Sequence, residues 1–134
     1  MKKKLNIVVV GLGNIGSYFF DYLQKNKNTL FNKTNVEPNV LYVSARSLAK
    51  KRTVKIPKRL WLKDCLSATK LKNVDIIIEL IGGADGIAKK LVYAALRNKK
   101  HVITANKALV AKYGDHLAKI AEKNQVNFEF EAAV

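Results

Sequence analysis

A glycine-rich turn between a short apolar run and an amphipathic segment constrains this chain more than any other feature. The run from Leu5 to Val10 is apolar at every position except Asn6, as in a parallel strand that is buried on both faces. It leads into Gly11-Leu12-Gly13-Asn14-Ile15-Gly16, and residues 14 to about 25 then place apolar side chains at helical spacing. A G-x-G-x-x-G turn that joins a strand to a helix is typical of domains that bind a dinucleotide.

Strands and helices are predicted to alternate along the rest of the 134 residues. Further strands are expected at 40–45, 74–81, 101–104 and 126–131, and helices at 86–98 and at 106–124 with an interruption at Gly114. A loop or a frayed helix end is expected at 26–39, irregular structure at 46–63, and one short helix at 64–71. This order predicts one α/β domain over 1–134, a Rossmann-type doubly wound parallel sheet with helices on both faces.

Each glycine of the turn has its own predicted role. Gly11 permits the tight turn, Gly13 leaves room for the pyrophosphate, and Gly16 lets the helix pack closely on the sheet. The helix N-terminus then offers N–H groups and a favourable dipole to the anion. A structural turn without a ligand is the alternative, which the strand–turn–helix context disfavours.

The end of the second predicted strand bears on the choice of dinucleotide. A domain specific for NAD places Asp or Glu there to bind the ribose 2′-hydroxyl, whereas this chain has Ser44-Ala45-Arg46-Ser47. The guanidinium of Arg46 can pair with a 2′-phosphate, and the cations at 50–52 raise the local positive potential. NADP(H) is therefore favoured, with NAD(H) still possible. The alternative is that Arg46 is one more solvated cation.

Three segments follow the later strands and should meet at the carboxyl edge of the sheet, where substrate and nicotinamide lie. They are 79–83, 104–107 and 131–134. In the first of them, Ile81 and Gly82 are also expected to contact the cofactor. The topology puts Lys107 beside the nicotinamide, so Lys107 is the best candidate for proton transfer. A plain surface lysine is the alternative. Glu79 ends a buried strand and is expected to accept hydrogen bonds from the loops around it; the alternative is that it orients a group on the substrate side.

Composition and charge disfavour several classes of protein. The apolar runs are far shorter than the roughly 20 residues of a membrane-spanning helix, so no membrane partner is expected. The net charge of +15 suggests nucleic-acid binding, but the lysines are spread along the chain and no aromatic residues alternate with them. We therefore expect a solvated surface and no nucleic acid.

The cysteine and histidine content predicts neither a disulfide nor a metal cluster. The single cysteine, Cys65, favours a reducing cytoplasm and is expected to be an inert packed thiol. His101 and His116 have no third ligand nearby and are expected to be structural or solvated. Met1 is expected to begin the mature chain.

Together with the glycine turn, three further motifs resemble the N-terminal domain of homoserine dehydrogenases. They are ELIGG at 79–83, KHVITANKAL at 100–109 and FEAAV at 130–134, and the resemblance runs over nearly the whole chain. The family interconverts aspartate 4-semialdehyde and homoserine with NAD(P)H. The resemblance therefore implies hydride transfer to an aldehyde, coupled to protonation of the developing alkoxide.

The same resemblance implies roles for individual residues. Those that would contact the cofactor, including the 2′-phosphate and the nicotinamide, are Leu12, Asn14, Ile15, Arg46, Thr104 and Asn106. Lys107 would match one of the two active-site lysines of the family. Glu131 and Val134 would match the first two ligands of a monovalent cation, usually sodium.

This chain also departs from the family in ways that limit the expectation. Family members usually carry Asp where this chain has Ser47, which affects how Arg46 is oriented. The resemblance also implies that the region which binds the substrate and forms the homo-oligomer is not among these residues. These residues alone should therefore bind cofactor without turnover.

Two other functions remain open. One is a stand-alone nucleotide-sensing domain that regulates a partner and needs no lysine at position 107. The other is an oxidoreductase of the same architecture that acts on a different small carbonyl compound.

Overall fold

The computed structural model describes residues 3–46 and 55–130. The strands in this part of the chain are β1 (Lys3–Val10), β2 (Val36–Ser44), β3 (Ile76–Glu79), β4 (His101–Thr104) and β5 (Phe128–Phe130). The α-helices there are α1 (Asn14–Lys25), α2 (Lys27–Thr34), α3 (Ile87–Arg97) and α4 (Lys107–Lys123), and short 3₁₀ helices span Lys58–Leu60 and Cys65–Lys70. All strand pairs are parallel, in the order β2-β1-β3-β4-β5.

The sheet is buried on both faces, as the apolar run of β1 predicts. Alternate side chains of that strand enter two separate cores because successive side chains of a strand point to opposite faces. Ile7 and Val9 pack in one core with Phe20 of α1. Val8 packs in the other with Leu91 of α3. The predicted doubly wound α/β fold with helices on both faces is confirmed.

The carboxyl end of β1 lies at the point where the strand order of the sheet changes direction. This strand lies between β2 and β3, so the strand order reverses there, and such a switch point is where open α/β sheets bind ligands. The hydrogen bonding of the sheet continues into the loops: the Gly11 N–H donates to the Ser44 carbonyl at 2.8 Å, and the Leu80 N–H donates to the Val10 carbonyl at 2.8 Å. The loops after β1, β2 and β3 are therefore held side by side.

The stretch 26–39, expected to be a loop or a frayed helix end, instead holds a second helix and the start of β2. Helix α2 ends at Thr34, its C-cap residue Asn35 has a left-handed φ of 61°, and β2 begins at Val36. None of the α2 residues is buried. Because a helix without a buried face needs no apolar residues at helical spacing, the sequence does not indicate this helix. Pro38 lies inside β2 without disrupting the sheet because β2 is an edge strand, where a missing N–H is tolerated.

The predicted interruption of the last helix at Gly114 is also wrong, because α4 runs without a break. A glycine inside a helix costs about 1 kcal/mol, which the packing of buried side chains such as Leu109 and Leu117 offsets. The remaining predicted elements are present, with β4 as predicted, β1 and β2 beginning earlier, β3 shorter than predicted and β5 beginning later. The described helices include none that is both long and apolar enough to cross a membrane.

Candidate functional site

Two glycines of the β1–α1 turn are required by close backbone packing. Gly11 has a φ of 103°, and a Cβ atom there would lie 2.6 Å from the carbonyl carbon of Leu80. At Gly16 a Cβ atom would lie 1.9 Å from the carbonyl oxygen of Gly11. At Gly13, by contrast, a Cβ atom would meet nothing within 4 Å. The turn is thus tight against the β3 loop on one side and open at Gly13.

Helix α1 begins at this open position without a side-chain cap. Gly13 is its N-cap residue, and no side chain caps the N-terminus. The first residues, Asn14 and Ile15, are exposed. Because the first N–H groups of a helix have no intrahelical partner, this end of α1 presents donors and a positive dipole. It is suited to an anion.

A cleft of about 650 Å³ opens beside the turn. Its walls come from the ends of β1, β2 and β3, the loops that follow them, the segment before the second 3₁₀ helix and the start of α3. The lining residues are Val10, Gly11, Leu12, Gly13, Ser44, Ala45, Arg46, Lys63, Asp64, Cys65, Leu80, Ile81 and Ile87. The cleft therefore joins the open side of the glycine turn to the end of β2.

Two cations and one carboxylate lie in this lining. Arg46 and Lys63 are exposed, and the ion pairs found in residues 3–46 and 55–130, Lys25–Asp21 and Lys112–Asp85, involve neither of them. The carboxylate of Asp64 accepts a hydrogen bond from the Leu66 N–H at 3.0 Å and caps the 3₁₀ helix. The cations are therefore available to an anionic ligand.

The sequence gives no sign that Lys63 belongs to the site, since it lies in the stretch predicted to be irregular. A non-local contact brings it there. Trp61 forms a parallel bridge with Val43, and the Leu62 N–H donates to the Val43 carbonyl at 2.8 Å. The segment before Lys63 thus runs alongside the end of β2, next to Arg46.

Cys65 also lines the cleft, but its thiol is not activated. The residue is buried, and burial is the main cause that raises the pKa of its thiol, with the nearby Asp64 carboxylate as a second cause. A raised pKa keeps the thiol protonated, and the thiol is a poor nucleophile. This agrees with the inert packed thiol expected from the sequence.

Glu79 holds the loop after β3. The residue is completely buried, and its Oε2 accepts hydrogen bonds from the N–H groups of Ile81 at 2.8 Å and Gly82 at 3.0 Å. Its Oε1 accepts a hydrogen bond from the Thr104 hydroxyl at 2.6 Å, and that hydroxyl accepts one from the Asn106 N–H at 3.0 Å. The expectation that Glu79 accepts hydrogen bonds from the surrounding loops is confirmed.

Asn106 extends the same network to the next helix. Its side-chain NH₂ donates to the carbonyl of Gly83 at 2.7 Å, and its side-chain oxygen accepts from the Leu109 N–H at 3.0 Å. The second bond caps α4, for which Asn is a favoured residue. The loops after β3 and β4 are therefore linked by side chains that the sequence places far apart.

Some of the residues predicted to contact the cofactor line the cleft, and others lie outside it. Gly11, Leu12, Gly13, Arg46 and Ile81 line the cleft. The predicted residues outside the lining are Asn14, Ile15, Gly16, Gly82, Thr104, Asn106 and Lys107. Thr104 is completely buried with both functions of its hydroxyl engaged, and Lys107 is exposed as the first residue of α4. Their contact with a ligand stays a prediction.

Several predicted residues lie outside the described part of the chain. They are Ser47, the cations at 50–52, and the expected cation ligands Glu131 and Val134. Among residues 3–46 and 55–130, no group of three or more His, Cys, Asp or Glu side chains is arranged to hold a metal ion.

A surface ion pair ties the loop before α3 to α4. The Asp85 carboxylate lies 2.8 Å from the Lys112 ammonium and accepts a hydrogen bond from the Tyr113 hydroxyl. The Lys89 ammonium lies 4.2 Å from the centre of the Tyr113 ring. The hydrogen bonds from Lys112 and Tyr113 lower the pKa of Asp85, and Asp85 in turn raises the pKa of Lys112.

We expect Asp85→Asn to lower the melting temperature slightly at neutral pH and not at about pH 2. A carboxyl whose folded pKa is lowered adds stability above its unfolded pKa, and that stability is lost as the pH falls through the folded pKa. Thermal unfolding at both pH values measures the effect. Asp115→Asn, an exposed position on α4, is the control and should change little at either pH. A difference that persists in acid would contradict the assignment.

Comparison with known proteins identifies the family to which this architecture belongs. Residues 11–131 match the family described as homoserine dehydrogenase, NAD binding domain. The chain belongs to this family. The resemblance inferred from the sequence motifs is therefore confirmed.

Individual homoserine dehydrogenases align with nearly all of this chain. The enzyme of Neisseria gonorrhoeae is 37% identical over 132 residues, and that of Bacillus subtilis is 36% identical over 132 residues. A crystal structure of the Staphylococcus aureus enzyme superposes with a TM-score of 0.89 at 36% identity, and covers 98% of this chain and 34% of that chain. The match covers 98% of this chain but only 30% of the N. gonorrhoeae and B. subtilis proteins, so the chain spans about a third of its relatives.

Proposed function

We propose that this chain is the NADP(H)-binding domain of a homoserine dehydrogenase, which interconverts L-homoserine and L-aspartate 4-semialdehyde. The observation that carries the proposal is the cleft at the switch point, which joins the open side of Gly13 to the cations Arg46 and Lys63. A dinucleotide phosphorylated at one ribose needs anion sites at these two places. When bound, the cofactor supplies the hydride donor or acceptor.

The turn fits the pyrophosphate of such a cofactor. A side chain at position 13 would fill the space beside the turn, and glycine leaves that space open. The uncapped start of α1 faces the same side and offers N–H donors with the favourable end of the helix dipole. Gly11 and Gly16 keep the turn close enough to the sheet for this arrangement.

The adenosine end of the cofactor is assigned to the end of β2. Ala45 and Arg46 follow this strand directly, in the place where an acidic residue would select NAD. The guanidinium of Arg46 offers a planar pair of donors, and Lys63 adds a second positive charge. The two cations favour the 2′-phosphate of NADP(H) over the 2′-hydroxyl of NAD(H).

Arg46→Ala is expected to weaken NADPH binding by about 10- to 100-fold and to leave NADH binding nearly unchanged, because hydrogen bonds to charged groups contribute about 1.5–3 kcal/mol. Titration of the 134-residue chain with each dinucleotide measures the effect. Arg59→Ala is the control, since Arg59 is exposed but does not line the cleft. Equal affinity of the unaltered chain for NADPH and NADH, or an unchanged NADPH affinity in Arg46→Ala, would contradict the proposal.

The substrate side of the reaction is assigned to the far edge of the sheet. Lys107 is proposed as the proton-transfer residue because it is exposed at the start of α4, where that helix follows the carboxyl end of β4. A monovalent cation, expected to be sodium, is assigned to Glu131 and Val134. Substrate binding and homo-oligomer formation are assigned to the part of the relatives that this chain does not span. We expect the enzyme to act in the cytoplasm without nucleic-acid or membrane partners.

A further inference from the structure

A buried carboxylate that has no cationic partner among the described residues lies at the end of β3. Glu79 is 0% exposed, and its carboxylate accepts three hydrogen bonds, from two backbone N–H groups and from the Thr104 hydroxyl. The ion pairs of the described residues lie elsewhere, at Lys25–Asp21 and Lys112–Asp85. Within residues 3–46 and 55–130 the carboxylate meets three donors and no acceptor, which suits an ionised carboxylate because it can only accept, so a negative charge is held here that hydrogen bonds stabilise but do not neutralise.

This charge lies directly beside the proposed cofactor cleft. Glu79 pairs in the sheet with Val10, whose neighbour Gly11 begins the glycine turn, and Val10 lines the cleft. The next two residues, Leu80 and Ile81, line the cleft as well, and Ile81 donates its N–H to the carboxylate. The loop residues Leu80 and Ile81 therefore lie between the charge and the cleft.

The ends of the cofactor can be assigned relative to Glu79. Arg46 marks the adenosine 2′-phosphate at the end of β2, and the pyrophosphate belongs at Gly13 after β1. Because the strand order is β2-β1-β3-β4, a dinucleotide that crosses the switch point continues from Gly13 towards β3 and β4. The nicotinamide half therefore extends to the side of the sheet on which Glu79 lies.

We infer that Glu79 sets the preference of this site between the oxidised and the reduced cofactor. The inference rests on the proposed function. The nicotinamide ring is cationic in NADP⁺ and neutral in NADPH, whereas the phosphates and the adenosine are the same in both. A fixed negative charge beside the ring stabilises only the oxidised form, and burial keeps the charge from being screened by salt.

The expected size of this preference follows from Coulomb's law. A unit charge that acts on the ring through protein with an effective dielectric constant near 20 changes the affinity by about tenfold or more. The hydrogen bonds from Ile81, Gly82 and Thr104 hold the carboxylate in place, so it does not need to reorganise when the ring becomes charged. A flexible surface carboxylate would have a smaller effect.

Glu79→Gln tests this inference because it removes the charge and keeps the shape. A glutamine can accept from the N–H groups of Ile81 and Gly82 through its oxygen and can donate to the Thr104 hydroxyl through its NH₂. Affinities for NADP⁺ and NADPH are measured by titration of the 134-residue chain. The affinity for NADP⁺ relative to NADPH is expected to fall about tenfold. A variant in which both affinities fall equally would show a purely structural role and overturn the inference.

Thr104→Val is the second variant, and its result does not depend on whether Glu79→Gln folds. It removes one donor to Glu79 and keeps the carboxylate, which is then held less rigidly. The affinity for NADP⁺ relative to NADPH is expected to fall, in the same direction as in Glu79→Gln but by a smaller factor. An unchanged or raised ratio in Thr104→Val would contradict the inference.

A ligand without nicotinamide separates failure of this inference from failure of the proposed function. The dinucleotide fragment 2′-phospho-ADP-ribose carries the groups assigned to Gly13 and Arg46 but no ring, so its affinity should be the same in the unaltered chain and in Glu79→Gln. If the unaltered chain binds none of the three ligands, the proposed function is wrong. If it binds all three but Glu79→Gln leaves the ratio of NADP⁺ to NADPH affinity unchanged, only the inference is wrong.

Discussion

Gly16→Ala is expected to abolish NADPH binding and to lower the free energy of unfolding by about 3 kcal/mol. The added Cβ atom would lie 1.9 Å from the carbonyl oxygen of Gly11, which is backbone and cannot rotate away. Gly11 itself lies close to the backbone of the β3 loop, since a Cβ atom built on it would lie 2.6 Å from the carbonyl carbon of Leu80. The variant must therefore separate α1 from the turn. Urea unfolding and titration with NADPH measure the two effects.

Gly13→Ala is the matched comparison within the same turn. A Cβ atom there meets nothing within 4 Å, so the free energy of unfolding should hardly change, while the space proposed for the pyrophosphate is lost. Gly114→Ala is the control for a glycine outside the site, since its Cβ atom would meet only the Val110 side chain at 3.2 Å. Unaltered NADPH binding in Gly13→Ala would place the pyrophosphate elsewhere, and normal stability of Gly16→Ala would contradict the packing described here.

The part of the fold that sequence predicts well is the part determined by neighbouring residues. The strand–turn–helix unit around Gly11 to Gly16 and the strand at 101–104 are specified by local spacing and by glycine, and both are present. Helix α2 was missed because it buries no residue and so has no apolar periodicity. The break predicted at Gly114 was wrong because packing elsewhere on α4 outweighs the intrinsic cost of one glycine.

The site residues that could be predicted from the sequence are likewise those placed by local features of the chain. Arg46 and Ile81 follow strands directly, so strand ends alone place them at the cleft. Lys63 reaches the cleft only through the pairing of Trp61 with Val43, which no local pattern encodes. The donors that surround Glu79 likewise come from the loop after β3 and from Thr104 at the end of β4, and only that loop adjoins Glu79 in sequence.

Under the proposed function, substitution of Lys107 should lower the rate of the reaction more than any other substitution considered. It follows Asn106, whose side chain caps α4 and bonds the carbonyl of Gly83, so the start of the helix is fixed relative to the loop after β3. A group held there can meet a substrate that lies outside the strand ends, and its exposed side chain is free to be enclosed by the rest of the enzyme. A proton-transfer residue in this place would act on the oxygen of the substrate.

Lys107→Ala is expected to lower homoserine oxidation by about 100- to 10,000-fold in a chain completed with the remaining part of the Bacillus subtilis relative. Lys107→Arg should be nearly as inactive, because a guanidinium keeps the charge but does not release its proton. Lys119→Ala, an exposed position further along α4, is the control and should retain activity. The 134-residue chain alone should show no turnover. Full activity in Lys107→Ala would remove this residue from proton transfer, and full activity in Lys107→Arg would show that only its charge is needed.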